Sequence, residues 1–228
     1  MIPFDALLLD IEGTTTALSF VHDTLFPYAR AHLAGFLAAH FDDPDVRADV
    51  RRLGSGLASS PAEATAEALA LMDVDAKDTG LKALQGRLWA LGYADHALAG
   101  HVFDDVPDAL RTLAARAVPV HIYSSGSVAA QRLLFSHTAH GDLTPWLSGY
   151  FDTTTGPKRE AASYQAIRAA IGIPADRILF ATDHLDEARA ASAAGLQVAV
   201  ARRPGNPPLP PHPFPEFADL RDLWPPTC

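Results

Sequence analysis

Four apolar residues, Ala6-Leu7-Leu8-Leu9, run straight into Asp10-Ile11-Glu12-Gly13-Thr14-Thr15. An unbroken apolar run has no wet face to offer, so it reads as a strand buried on both sides, spanning Pro3 to Asp10. Its carboxylates, glycine and hydroxyls are all delivered at the carboxyl end. In open α/β sheets that end is where ligands bind. One short segment thus points both to a sheet covered on its two faces and to a place for chemistry.

The remainder of the chain fits such a sheet with one interruption. From about Asp23 to Leu91 the pattern is helical. Phe26, Ala29, Leu33, Phe36 and Leu37 mark one helix, Asp45 to Leu57 a second, Pro61 to Val74 a third and Leu81 to Leu91 a fourth, with Gly92 as its stop. After Val102 strands and helices alternate. Pro107–Ala115 reads as helix and Val118–Tyr123 as strand, with Pro119 at its start. Ser127–His137 reads as a helix capped by Ser127, and Glu160–Ala170 as a helix stopped near Gly172. Ile178–Thr182 is a strand, Leu185–Ala194 a helix and Leu196–Val200 a last strand. This rhythm predicts an α/β fold, a three-layer Rossmann-like parallel sheet with a helical cap inserted after the first strand. Residues 1-18 and 100-228 would form the core and residues 19-99 the cap. Beyond Arg203, Pro204, Pro207, Pro208, Pro210, Pro211, Pro213 and Pro215 exclude regular helix or sheet. Phe214, Phe217 and Trp224 would pin this tail to the body, and a proline-rich recognition segment is the other use of such composition.

Net charge is −9, against a nucleic-acid or anionic-membrane partner. A small anionic substrate needs only a local lysine and a cation. The single cysteine, Cys228, forms no intrachain disulfide. With no basic-then-apolar start and no run of membrane-spanning length, the reading is a cytoplasmic protein. No heptad marks an interface, so a monomer is the default.

Several residues could carry chemistry. A carboxylate such as Asp10 can attack phosphorus if a cation neutralises the incoming phosphate. Glu12 lies near enough for acid or base work. Thr14 offers a hydroxyl and a backbone N–H. Ser124-Ser125-Gly126-Ser127, between a strand and a helix, is a natural anion cradle. Lys158 could neutralise a phosphate. Asp183, at another strand tip, suits a hard cation such as Mg²⁺. Glu187, one turn on, could hold the Lys158 ammonium or a metal-bound water. Each has an ordinary alternative: loop caps for the acids, a plain serine-rich turn, a solvent-facing lysine, a favourable charge in a helix's first turn.

Taken together the motifs resemble the haloacid dehalogenase-like hydrolases and, within them, the enolase-phosphatase E1 (acireductone synthase) family of methionine salvage. The superfamily's Asp-x-Asp-Gly-Thr stands here as Asp10-Ile11-Glu12-Gly13-Thr14, the glutamate being the E1 form. Leu25-Phe26-Pro27-Tyr28, Leu81 to Gly86 with Trp89, Ile122-Tyr123-Ser124-Ser125-Gly126-Ser127, Gln131, Gly149 to Thr153, Lys158, Glu160, Ser163-Tyr164 and Arg203-Pro204-Gly205-Asn206 continue it.

The resemblance implies that Asp10 binds metal and accepts the phosphoryl group. It implies that Glu12 binds one Mg²⁺ per subunit through its main-chain carbonyl and handles a proton. It implies further that Ser124 and Ser125 hold the phosphate, that Lys158 contacts substrate and that Asp183 completes the metal site, with Glu187 in support at the family's acidic position; Thr14 joins the phosphate-binding candidates on its own hydroxyl and N–H. His184 and Asp186 receive no role. Lys82, Gln85 and Trp89, on one helical stripe, are candidates for substrate contact from the cap, although Trp89 could equally pack inside it.

The implied substrate is a small phosphorylated diketone. A 2,3-diketo-5-methylthiopentyl 1-phosphate is enolised, then loses phosphate to give 1,2-dihydroxy-3-keto-5-methylthiopentene. Water displaces phosphate directly or from an aspartyl phosphate. The competing readings are a general phosphatase or dehalogenase of the same architecture, and a non-catalytic scaffold with a proline-rich binding tail.

Overall fold

The computed structural model describes residues 3–224. Cys228 lies outside them. The chain divides into two compact units, one made of the residues up to Phe20 and those from Gly100 onward, the other Val21–Ala99.

In chain order the elements are strand β1 (Ala6–Leu9), a single helical turn at Leu18–Phe20 and then four longer helices, α1 (Phe26–His40), α2 (Pro44–Val50), α3 (Pro61–Asp73) and α4 (Thr79–Ala94). After these come α5 (Asp105–Ala115), β2 (Val120–Tyr123), α6 (Val128–Ser136), β3 (Gly149–Phe151) and α7 (Ala161–Ile171). Next are β4 (Ile178–Thr182), α8 (Leu185–Ala193), β5 (Gln197–Ala201) and β6 (Glu216–Phe217), followed by a 3-10 turn at Leu220–Leu223. A π turn, Val21–Leu25, leads into α1.

The six strands form one parallel sheet in the order β3-β2-β1-β4-β5-β6. β1 is central, and the chain leaves it first toward β2 and later toward β4, so the carboxyl end of β1 is a topological switch point. All four β1 residues are fully buried. Ala6 and Leu8 join Phe180, Tyr164, Ile167, Ala188 and Ala191 in the core on one face. Leu7 and Leu9 alternate to the other.

The helical unit is built on apolar residues at three- and four-residue spacing: Ala29, Leu33 and Leu37 on α1, Ala64 and Ala68 on α3, Leu81, Leu84 and Leu88 on α4. Three of its helices, α2, α3 and α4, start where side chains cap them, whereas α1 starts without a side-chain cap and has Pro27 in its first turn. The Asp43 carboxylate accepts from Asp45 and Val46 N–H, the Ser60 hydroxyl from Glu63 N–H, and the Asp78 carboxylate from Leu81 N–H.

Four expectations need correction. The Gly92 stop is wrong, because α4 runs through it to Ala94. A β-carbon there would lie 2.7 Å from Tyr28 Cζ and 2.8 Å from Leu98, so the glycine serves close packing. Helix α2 ends at Val50, not Leu57, since the chain turns through Gly54 and Gly56 at positive φ. β3 has no counterpart in the sequence pattern. It has three residues, all half-buried at a sheet edge, too short for a periodic signal. The tail does contain sheet: β6 pairs with β5, with Val200 N–H donating to Pro215 O (2.8 Å) and Arg202 N–H to Phe217 O (2.8 Å). Proline is compatible with an edge strand because only its carbonyl is needed. Phe217 and Trp224 are buried, and Phe214 packs against the core. No helix among the described residues is long and apolar enough to cross a membrane.

Candidate active site

Parallel register carries the chemistry to one edge. Leu9 pairs with Ile122 on one side and Ala181 on the other. The next residues along the three strands are therefore Asp10, Tyr123-Ser124 and Thr182-Asp183, on neighbouring strands about 4.8 Å apart.

Asp10 keeps its place in the ladder through its N–H on Ala181 O (3.0 Å). Beyond it the chain turns tightly, with the N–H groups of Thr14, Thr15 and Thr16 all converging on Ile11 O (3.2, 2.9 and 2.9 Å). The expected role of the Thr14 backbone N–H as a phosphate donor is therefore compromised, because that group is engaged within the turn. Its hydroxyl is different: fully buried and without a hydrogen-bond partner. Gly13 sits at φ +68°, and a β-carbon there would overlap the Asp183 carboxylate. Glycine lets the second acid approach the turn formed by the first.

The Asp10 carboxylate is held asymmetrically. Oδ1 accepts from Ile11 N–H (2.7 Å) and from Lys158 Nζ (2.6 Å), whereas Oδ2 has only the Thr182 hydroxyl at 3.3 Å. The Lys158 ammonium, 10% exposed, also meets Glu187 Oε2 at 2.7 Å. Thr182 lies 3.0 Å from the same Glu187 oxygen. Burial opposes the Lys158 charge, but the two carboxylates overcome it and hold the ammonium above its usual range. Burial, reinforced by the Asp10 charge and opposed by Lys158, pushes Asp183 up to about 7. Glu187 moves up to about 7 for the same reasons.

Three acids thus share one ammonium, leaving a negative surplus in a largely dry site. That surplus and the hard oxygen donors, brought close because Gly13 has no side chain to keep Asp183 away, fit a small divalent cation. Among the described residues no group of three or more His, Cys, Asp or Glu side chains is arranged to hold a metal by itself. Mg²⁺ does not require one, since it commonly takes one or two carboxylates and keeps several waters.

Ser124 is buried, and its hydroxyl accepts from Gly126 N–H (3.2 Å), while Ser125 is exposed. Gln131, one of the residues that carry the family resemblance, fixes this loop by donating to Gly126 O and Phe151 O (both 2.8 Å). Glu12 is half-buried. Arg203 and Asn206 hold the turn, a role that their place after a strand does not signal: Arg203 Nε donates to Thr14 O and Asn206 Nδ2 to Gly13 O, both at 2.8 Å. Arg203 also pairs with Asp105 (2.8 Å). His184 caps α8 and meets Arg159 at 3.1 Å. Lys82, Gln85 and Trp89 lie on α4 in the other unit. Lys82 is exposed, Gln85 is buried, and the Trp89 indole donates to Leu25 O (2.9 Å) within that unit.

Residues 4–195 match the family model of haloacid dehalogenase-like hydrolases. A protein of Pseudomonas aeruginosa (strain UCBPP-PA14) named enolase-phosphatase E1 is 50% identical, covering 94% of this chain and 97% of its own. A namesake in Monosiga brevicollis is 45% identical over 97% of this chain and 82% of its own. Among solved structures, the UTR4 protein of Saccharomyces cerevisiae superposes with a TM-score of 0.83 at 35% identity, over 95% of this chain and 98% of that one. The chain belongs to the haloacid dehalogenase-like hydrolases and, among them, to the enolase-phosphatase E1 family.

Proposed function

We propose that the protein is an acireductone synthase, acting on 2,3-diketo-5-methylthiopentyl 1-phosphate by enolisation and then hydrolysis of the enol phosphate. The observation that carries this reading is Asp10, buried at the carboxyl end of the central strand with one oxygen held by Lys158. Relatives named enolase-phosphatase E1, matched over nearly the whole chain, support enolisation and dephosphorylation as the two activities, and the diketone phosphate is the substrate that the family resemblance implies.

Asp10, Asp183 and the Glu12 main-chain carbonyl would hold one Mg²⁺. When bound, that ion neutralises the phosphate and lowers the energy of developing oxyanions. The chain's own groups supply the rest. Lys158 orients Asp10 through Oδ1 and leaves Oδ2, with its single long contact, free to face phosphorus. Glu187 Oε2 holds the same ammonium, so Lys158 stays charged while it touches the phosphate. Ser124 and Ser125 would receive phosphoryl oxygens, and the unpartnered Thr14 hydroxyl is a further donor. Glu12 would carry the proton for the leaving group. Lys82, Gln85 and Trp89 are proposed to contact the thioether end of the substrate. For Trp89 only the ring is offered, because its N–H is engaged.

The test follows diketone loss, enol absorbance and free phosphate together, with and without Mg²⁺, beside simple sugar phosphates. Enol formation and phosphate release from the diketone alone are expected. A clear preference for sugar phosphates would replace this reading with a general phosphatase.

A further inference from the structure

Lys158 stands on a stretch that is neither helix nor strand, between β3 and α7. Such a segment must find partners for its backbone carbonyls elsewhere. Three consecutive carbonyls each receive one buried side-chain hydroxyl: Gly156 O from Tyr123 (2.8 Å), Pro157 O from Ser163 (2.7 Å) and Lys158 O from Tyr164 (2.7 Å). The two tyrosines are fully buried and Ser163 nearly so.

We propose that Tyr123, Ser163 and Tyr164 form a hydroxyl clasp whose task is to position the Lys158 ammonium against the substrate phosphate. The proposal rests on Lys158 facing that phosphate.

The geometry favours this task over general packing. Tyr123 ends β2, immediately before Ser124, so its side chain joins the serine loop to the lysine loop. Its ring also lies under the ammonium, 5.7 Å from Nζ. Tyr164 meets Tyr123 edge-on at 5.5 Å, and Phe180 lies 5.1 Å from Tyr164 on β4, so the clasp is anchored to the sheet. Gly156 sits at φ +145°, where a β-carbon would overlap the Ser163 hydroxyl. Burial raises both phenols, so they stay protonated donors in the working range. A lysine on a long flexible stem needs a fixed base, since a shift of about 1 Å in a reacting group can cost roughly a hundredfold in rate. These three act through Lys158 and are positioning residues.

Tyr164→Phe, Tyr123→Phe and Ser163→Ala each remove one hydroxyl and keep the packing. Calorimetry on the full chain would measure affinity for inorganic phosphate with saturating Mg²⁺ and, separately, affinity for Mg²⁺ alone. Each variant should weaken phosphate about three- to tenfold, the worth of one hydrogen bond, and leave Mg²⁺ affinity within about twofold. With Lys158→Ala already in place, the same changes should matter less than about twofold. Phosphate and Mg²⁺ affinities falling together, neither changing, or equal losses with and without Lys158 would each overturn the clasp. Because the probe is phosphate, a wild-type protein that binds it but spares the diketone phosphate defeats the functional reading alone.

Discussion

Each unit buries an aspartate, and the two are neutralised in opposite ways. In the helical unit Asp49 is 3% exposed and meets two guanidiniums, Arg52 and Arg87, the latter at 2.6 Å. Both arginines reach solvent. In the α/β unit Asp10 shares one buried ammonium with Glu187, and Asp183 adds a third acid beside them. One acid has two cations of its own; three acids have one. A buried charge that only supports structure is fully paired, because anything less is costly. A persistent deficit marks a place where the missing charge comes from outside.

That contrast can be broken most severely at Asp10. Asp10→Asn should reduce phosphate release about a thousandfold or more and leave the far-ultraviolet dichroism unchanged. Substantial release by the variant would remove Asp10 as nucleophile.

Asp183→Asn should weaken Mg²⁺ binding about a hundredfold by calorimetry. It also tests the charge deficit through pH. The Asp183 carboxyl ionises near its ordinary 3.8 when unfolded but at about 7 in the fold. The folded state therefore keeps its proton longer, and rising pH between those values draws the metal-free protein toward unfolding. Thermal scans in chelator should find the variant roughly 2–4 °C more stable than wild type at pH 8 and equal to it near pH 3. A variant less stable at pH 8 would mean that Asp183 is already neutralised.

Asp49→Asn should do the reverse. It should cost about 1–2 kcal/mol of stability, a figure reduced because both arginines are solvated, with kcat unchanged. The smallest effect is expected at Leu57, which is 82% exposed. Leu57→Ser should stay within about 0.5 kcal/mol in urea unfolding.

The sequence was readable where local physics decides. The apolar runs of β1 and β4, the Ser127 cap and the left-handed Gly172 end of α7 follow from residue type alone. The acids at the strand tips were visible as candidates for the same reason, since a polar residue ending a buried strand has one place to go. What was hidden depends on partners distant in sequence. Gly92 looks like a stop until Tyr28 is known to lie against it. Tyr123 and Tyr164 look like core aromatics, and only the fold brings their hydroxyls to carbonyls of the lysine loop. Arg203 follows a strand as many surface arginines do, and its reach to Thr14 spans nearly the whole chain. β6 was masked by the prolines around it.

That last strand has a practical consequence for anyone trimming the protein. Shortening the chain at the onset of the prolines would strip β5 of its outer neighbour and leave the amide hydrogens of Val200 and Arg202 bare. A naked, apolar parallel edge invites another molecule's backbone to dock on it. The proline-rich stretch, for all its irregularity, works as a selvedge that keeps the sheet from fraying into its neighbours.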